Sequence, residues 1–374
     1  MIVGMRFVHD TLPQRVCFGS GQAADSLARE AGRLGAGRVM LIASPGQQRL
    51  AREITRDVPV ALRHDEVVMH VPAEVAGRAR QAAAEHAVDA LVSVGGGSAT
   101  GLAKAVALTT GLPVLAVPTT YSGSEATPVW GLTEGARKTT GTDPRVLPAV
   151  IVYDASLTLS LPVALSVASG LNALAHCVDS MWAPGADPVN TALAAEGIRA
   201  LRAGLPRIVA DPLDLDGREH ALYAAYLSAA AFASAGSGLH HKICHVLGGK
   251  YNLPHAQAHA TVLPYVLAFN GPAAPAAEQR IATALNDTAA NDTAANDTAL
   301  NDPGRALDRL LALARELDAP RALADYGFTA DSVDTAAEEI LPSVPPSNPR
   351  PVTVEDLRRL LHAAWSGADP RTVG

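Results

Sequence analysis

The chain has 374 residues, enough for two domains, and 48% of them are hydrophobic against 18% charged, which excludes a disordered chain. Aromatic residues are only 4%, so the core must be built largely from Ala, Val and Leu. The net charge of −7 and the lack of a dense Lys/Arg run exclude nucleic acid as the main partner, but not an anionic small molecule held at a local site.

Up to Tyr153 the sequence alternates between two patterns. Short apolar runs with β-branched residues predict buried strands at Val39–Ala43, Ala90–Val94, Pro113–Val117 and Ala149–Tyr153. Helical stretches are predicted at Gln22–Leu34, Glu74–His86 and Ala99–Thr109. This alternation implies a parallel sheet with helices on both faces, whose ligands bind beyond the carboxyl ends of the strands.

After Pro162 the strand signal disappears. Ala/Leu-rich stretches with helical spacing run over Val163–Trp182, Asn190–Val209, Arg218–Ser234, His240–Gly248 and Ala306–Leu317. The expected organisation is therefore an α/β domain over residues 1–158 and an all-helical domain over residues 159–374. Within the second, residues 286–302 repeat NDTAA, which fits neither a helical nor a strand period and reads as a surface insertion.

Two turns carry the first functional signal. The strand ALVSV runs into Gly95, Gly96, Gly97 and Ser98, and a helix follows at once. Glycines let an anion approach the backbone, and the free N–H groups and dipole of a helix start favour a phosphate there. The segment is neither a GxGxxG fingerprint nor a P-loop. After the next strand, Pro118–Glu125 presents Thr119, Thr120, Tyr121 and Ser122 beside Gly123. Two such turns on successive strands predict a dinucleotide site. Ser44 follows the first strong strand where a ribose-binding carboxylate often stands, so both NADH and NADPH are admissible.

The second signal is a set of histidines. Asn172 and His176 share a helix face, as do His241 and His245, and His255 follows Pro254 in an expected turn. His176, His241 and His255 offer enough imidazoles for zinc with an open position. Neutral Asn172 removes a carboxylate and disfavours hard metals such as ferrous iron most. With no carboxylate at that point, the pocket is expected to become cationic near neutral pH and to suit a carboxylate substrate. Cys177 and Cys244 neighbour these histidines in sequence but point about 100° away, as packing residues. The cysteines (Cys17, Cys177, Cys244) form no CxxC pair. Met1–Gln14 has no apolar h-region, and no run is long enough to span a membrane, so the expected location is the cytoplasm.

Together these motifs resemble the iron-containing alcohol dehydrogenase superfamily and, within it, the maleylacetate reductases. The resemblance rests on GGGS (Gly95–Ser98), PTTYSGSE (Pro118–Glu125), HKICHVLGGKYNLPH (His241–His255), NPRPVTVEDL (Asn348–Leu357) and the run from Trp130 to Gly141. Metal-dependent members usually carry Asp where this chain has Asn172, and Asp where it has Gly101; both departures look like the reductase branch. The resemblance implies a dehydroquinate synthase-like fold, with an α/β nucleotide domain, a helical domain and a cleft between them. It implies a homodimer using NADH or NADPH without metal to reduce the conjugated C=C of maleylacetate to 3-oxoadipate, in the degradation of aromatic compounds. In that frame His241 and His245 flank the nicotinamide and the enolate, while His176, His255 and Asn172 hold substrate oxygens. Tyr121 and Lys138 are further candidates for cofactor or carboxylate contacts. The alternatives are a metal-dependent alcohol or polyol dehydrogenase, a dehydroquinate synthase-type cyclase, and a nucleotide-binding protein without catalysis.

Overall fold

The computed structural model describes residues 5–135, 137–286 and 305–374. It divides into two units: Leu12–Leu161, and Pro162–Gly374 together with the N-terminal segment that ends at Thr11. The NDTAA repeat lies outside the described residues, apart from Asn286.

The first unit holds β1 (Arg15–Phe18), α1 (Ala23–Arg33), β2 (Val39–Ile42), α2 (Gln48–Ile54), β3 (Val60–His64), α3 (Ala73–Glu85), β4 (Ala90–Gly95), α4 (Gly97–Thr110), β5 (Val114–Pro118), β6 (Val129–Glu134), β7 (Arg137–Thr142) and β8 (Val150–Tyr153). A parallel sheet has the order β1-β8-β5-β4-β2-β3, and β6 and β7 form an antiparallel hairpin. Successive residues of each central strand serve opposite faces. Leu41, Val92, Val117 and Val152 join the core under α1 and α2, whereas Met40, Ile42, Leu91 and Val114 join the core under α3 and α4. The chain order reverses between β2 and β4, the place where open α/β sheets bind ligands.

The second unit contains α5 (Val163–Ser180), α6 (Pro188–Ala210), α7 (Leu215–Ala235), α8 (Leu239–Tyr251), α9 (His255–Asn270), α10 (Pro275–Asn286), α11 (Arg305–Glu316), α12 (Val333–Ile340) and α13 (Val354–Ser366). Every residue of α5 from Ser166 to Ser180 is buried, so this helix is the axis around which α6, α7 and α9 pack. The N-terminal segment is tied to this unit by His9, whose Nδ1 is 2.7 Å from Asp187 Oδ2, while Asp187 Oδ1 caps α6. That contact explains why residues ahead of Leu12 do not group with the α/β unit, as the 1–158 expectation had it.

The strands at β2, β4, β5 and β8 fall where the apolar runs put them. The edge strands β1 and β3, the hairpin, and α2, α9, α10, α12 and α13 were not predicted. Two of the family-like motifs prove to be structural. Trp130 faces Gly141 across the hairpin, and a Cβ at Gly141 would stand 2.7 Å from the indole. In the C-terminal motif, Asn348 exchanges amide hydrogen bonds with Asn270 at the end of α9, at 3.0 and 2.8 Å. Five residues further on, Thr353 and Asp356 close a capping box at the start of α13.

Candidate functional site

In the α/β unit the two turns come together. Gly95 has φ +146°, a conformation that favours glycine, and its carbonyl accepts from Thr119 N–H at 3.0 Å. A Cβ on Gly96 would stand 2.9 Å from Thr120 Cγ2, and one on Gly97 would stand 3.4 Å from Ser122 Oγ. The second turn is thus laid directly over the first. No side chain caps the start of α4, where Gly97 and Ser98 open the helix. Ser122 Oγ is buried there with no partner. A cradle of small residues, an uncapped helix start and an orphaned hydroxyl fit the pyrophosphate of a dinucleotide. Ser44 stands at the carboxyl end of β2, next to the chain reversal, and begins the short helix Pro45–Gln47.

One expectation for this cradle needs revision. Tyr121 is fully buried and its hydroxyl donates to Thr158 at 3.4 Å, so it packs into the core instead of facing a ligand. Lys138 belongs to β7 by its backbone, and its side chain lies outside the described residues.

Sequence reasoning also missed Lys104 and Glu125, both fully buried beside the cradle. Lys104 Nζ donates to the carbonyls of Ser124, Thr127 (2.8 Å) and Val129 (2.9 Å). Burial lowers its pKa to about 7, against the opposing pull of Glu125. Burial raises the Glu125 carboxyl, which accepts from Tyr153 Oη at 2.8 Å.

In the helical unit, α5, α8 and α9 assemble an imidazole cluster. Asn172, His176 and Asp179 share one face of α5 at helical spacing. The ring of His176 stacks on that of His241 with centroids 4.9 Å apart and planes at 14°. Phe232 covers both rings, at 4.9 and 4.2 Å. His241 Nδ1 is 2.7 Å from Asp179 Oδ2, while Nε2 is buried without a partner. Asn172 Oδ1 is likewise buried and without a partner. His245 lies one turn on, its ring 6.2 Å from His241. His255 is exposed, and its ring is 4.3 Å from the buried His259.

The structure corrects the sequence reading here too. His255 is not in a turn but opens α9, which places His255 and His259 on one face. The cluster is not poised to become cationic as a whole. Burial, reinforced by neighbouring imidazoles, lowers His176 to about 4 and His240 to about 3, and holds His241 and His259 well below the usual range. Sequence reasoning also gave no role to Asp179, His240, His259 or Phe232. Asp179 was detectable three residues after His176 on the same helix. The partnership of His240 with His259, at 2.9 Å between Nε2 and Nδ1, is tertiary and left no spacing signal.

Cys177 packs against α6, where a Cβ on Gly197 would stand 2.8 Å from its sulfur. Cys244 does more than pack. Its sulfur is 3.7 Å from His240 Nε2, and among the described residues the metal-type donors that converge within 4.8 Å are His240, Cys244 and His259. They are not the expected zinc set of His176, His241 and His255. In the converging set the two ring nitrogens are hydrogen-bonded to each other. Asn172 adds no charge, and Asp179 is already engaged by His241 and Gly238. The converging set brings imidazole and thiol donors and no carboxylate, a softer combination than the oxygen-rich sites that hard cations take.

Comparison with known proteins agrees with both units. Residues 13–155 match the family model described as iron-containing alcohol dehydrogenase, and residues 166–365 match the C-terminal model of the Fe-containing alcohol dehydrogenase family. The chain is 46% identical to maleylacetate reductase 2 of Cupriavidus pinatubonensis, over 97% of this chain and 98% of the relative. A crystal structure of an iron-containing alcohol dehydrogenase from Corynebacterium glutamicum superposes with a TM-score of 0.93 at 56% identity, covering 99% of this chain and 100% of that one. A crystal structure of maleylacetate reductase from Rhizobium sp. superposes with a TM-score of 0.88 at 40% identity, covering 98% and 99%. The chain belongs to the iron-containing alcohol dehydrogenase family.

Proposed function

We propose that this chain is a maleylacetate reductase, which uses NADH or NADPH to reduce the conjugated double bond of maleylacetate to 3-oxoadipate. The observation that carries the reading is His241: its Nδ1 is committed to Asp179 and its buried Nε2 has no partner, while on α5 the oxygen of Asn172 is equally orphaned. Unmatched buried atoms of this kind are left for a ligand to satisfy, and the neutral Asn172 in place of a carboxylate removes a charge that would repel a substrate with two carboxylates of its own. The 46% identity to a maleylacetate reductase over nearly the whole chain supports the same substrate.

The turns at Gly95–Ser98 and Thr119–Ser122 would hold the dinucleotide, whose chemistry would be hydride donation to the alkene carbon β to the ketone. Charge then builds on the ketone oxygen as enolate, and a proton must reach the adjacent carbon. Imidazoles kept neutral by burial each carry one N–H: His241 gives its own to Asp179 and turns a lone pair to the site, while His176, whose Nδ1 has no partner, can turn its N–H to a substrate oxygen without adding a full charge. Aimed dipoles of this kind stabilise a developing oxyanion strongly in a dry site. His245 is half-buried and His255 exposed, so these two exchange protons with solvent and resupply the acid.

The reading extends to a homodimer that works in the cytoplasm without a nucleic-acid or membrane partner. The absence, among the described residues, of any helix long and apolar enough to cross a membrane supports the last point.

One observation favours a second reading, a metal-dependent alcohol dehydrogenase: the 56% identity to a structure described as an iron-containing alcohol dehydrogenase. NADH oxidation by maleylacetate on EDTA-treated protein separates the two. Turnover unchanged by the chelator supports the reductase. Activity on simple alcohols that returns only with added metal supports the alternative.

A further inference from the structure

We propose that Lys104 is the positioning residue of the dinucleotide cradle, fixing the downstream end of the Thr119–Ser122 turn against α4 before the cofactor arrives. The inference rests on the reading of that cradle as a dinucleotide site.

The turn is a loop between two anchors. Its upstream end is set by β5 and by the hydrogen bond from Thr119 N–H to Gly95 O. Its downstream end leaves through Ser124–Ala126 and reaches β6 at Val129. That stretch has no strand partner in the parallel sheet. Lys104 takes the place of one. An ammonium has three N–H donors, and here they meet three backbone carbonyls, those of Ser124, Thr127 and Val129. Thr127 Oγ1 adds a contact at 3.2 Å.

Lys104 stands seven residues beyond Gly97, on the same face of α4. One helix therefore offers its N-terminus to the phosphates and, two turns further on, grips the chain that covers them. Between the anchors lies Ser122, whose buried hydroxyl has no partner and faces the first turn of α4. Glu125, in the gripped stretch, supplies the opposite charge, and its own carboxylate is fixed by Tyr153. Without the lysine, three buried carbonyls lose their donor and the turn must be ordered during binding, which raises the dissociation constant.

The test is NADH binding, followed by nicotinamide fluorescence on the full-length protein without substrate, for wild type, K104M and T127V. K104M is expected to weaken binding about tenfold or more, and to raise the KM for NADH by a larger factor than it lowers kcat. If wild type itself does not bind NADH, the dinucleotide reading fails, and with it the proposal. If wild type binds and folded K104M binds equally well, the dinucleotide reading stands and the proposal is overturned. Should K104M not fold, T127V decides: a two- to threefold weakening supports the clamp, and an unchanged dissociation constant overturns it.

Discussion

Asp179 Oδ2 holds His241 Nδ1 at 2.7 Å and, with the same oxygen, accepts from the backbone N–H of Gly238 at 2.7 Å. Gly238 is the residue at which α8 begins, and a Cβ there would collide with the carboxylate. One buried acid on α5 therefore fixes both the start of α8 and the orientation of His241. Burial raises the Asp179 carboxyl to about 6, so at pH 7 it is ionised, it accepts, and the hydrogen stays on Nδ1 of His241. The Nε2 lone pair is left facing the site.

Asp179→Asn should uncouple these functions. The amide keeps the size of the carboxyl, but the one atom that serves both partners becomes either an oxygen, which keeps both bonds without the charge, or an NH2, which donates to His241, inverts its tautomer and sets a second donor against Gly238 N–H. We expect kcat to fall by roughly 10²-fold, the scale of losing an orienting partner, while NADH binding is unchanged. Stopped-flow turnover and nitrogen chemical shifts of His241 check this together; a near-wild-type kcat would remove Asp179 from the mechanism.

Asn172→Asp puts a carboxylate back beside His176 and His241. Without a cation this leaves an unmatched buried charge, and stability should drop by about 3–5 kcal/mol. Added Zn²⁺ should raise the melting temperature of the variant but not of wild type, because a ligand stabilises only the form that binds it. Repulsion should also raise the KM for the dianionic substrate. Calorimetric melts with and without zinc decide the matter, and a variant indifferent to zinc contradicts the account of Asn172.

The sequence revealed the frame of the fold because its central strands are buried on both faces. VMLI, ALVSV, VLAV and VIVY are continuous apolar runs, and no competing pattern obscures them. The edge strands β1 and β3 are half-exposed and contain Arg15, Arg63 and His64, so their composition reads as loop. α9 was missed because Pro254 and His255 look like a turn, although Pro beside a helix start is common. At the site, the helical pairs were visible because their spacing is local. What links them is not. The bonds from Asp179 to His241 and from His240 to His259 span 62 and 19 residues, and Lys104 reaches 20 to 25 residues along the chain.

Gly96→Ala tests the closeness of the two turns. The added methyl would stand 2.9 Å from Thr120 Cγ2 and 3.1 Å from Thr120 Oγ1, so one turn must retreat from the other. Overpacking of this kind costs about 1–3 kcal/mol of stability. The larger effect should be on the cofactor, with NADH affinity falling about tenfold or more as the cradle opens. Fluorescence titration measures it; undiminished affinity would mean that the nucleotide does not use the space between these turns.

Lys104 makes the stability of the α/β unit depend on pH in a definite direction. Its pKa falls from 10.5 to about 7 on burial, so between those values the unfolded chain binds more protons than the folded one. Stability contributed by this group therefore rises with pH across that window, is complete above 10.5, and is lost as pH falls to about 7. Glu125, whose carboxyl burial raises, contributes in the opposite sense: its stability is present below its unfolded value and is lost as pH rises. Lys104→Met removes the rise. Urea unfolding of wild type and variant at several pH values above 7 should give curves whose difference grows toward alkaline pH, with wild type gaining on the variant. A constant difference would mean that Lys104 keeps its proton in the folded protein, held by its three carbonyls more firmly than burial opposes it.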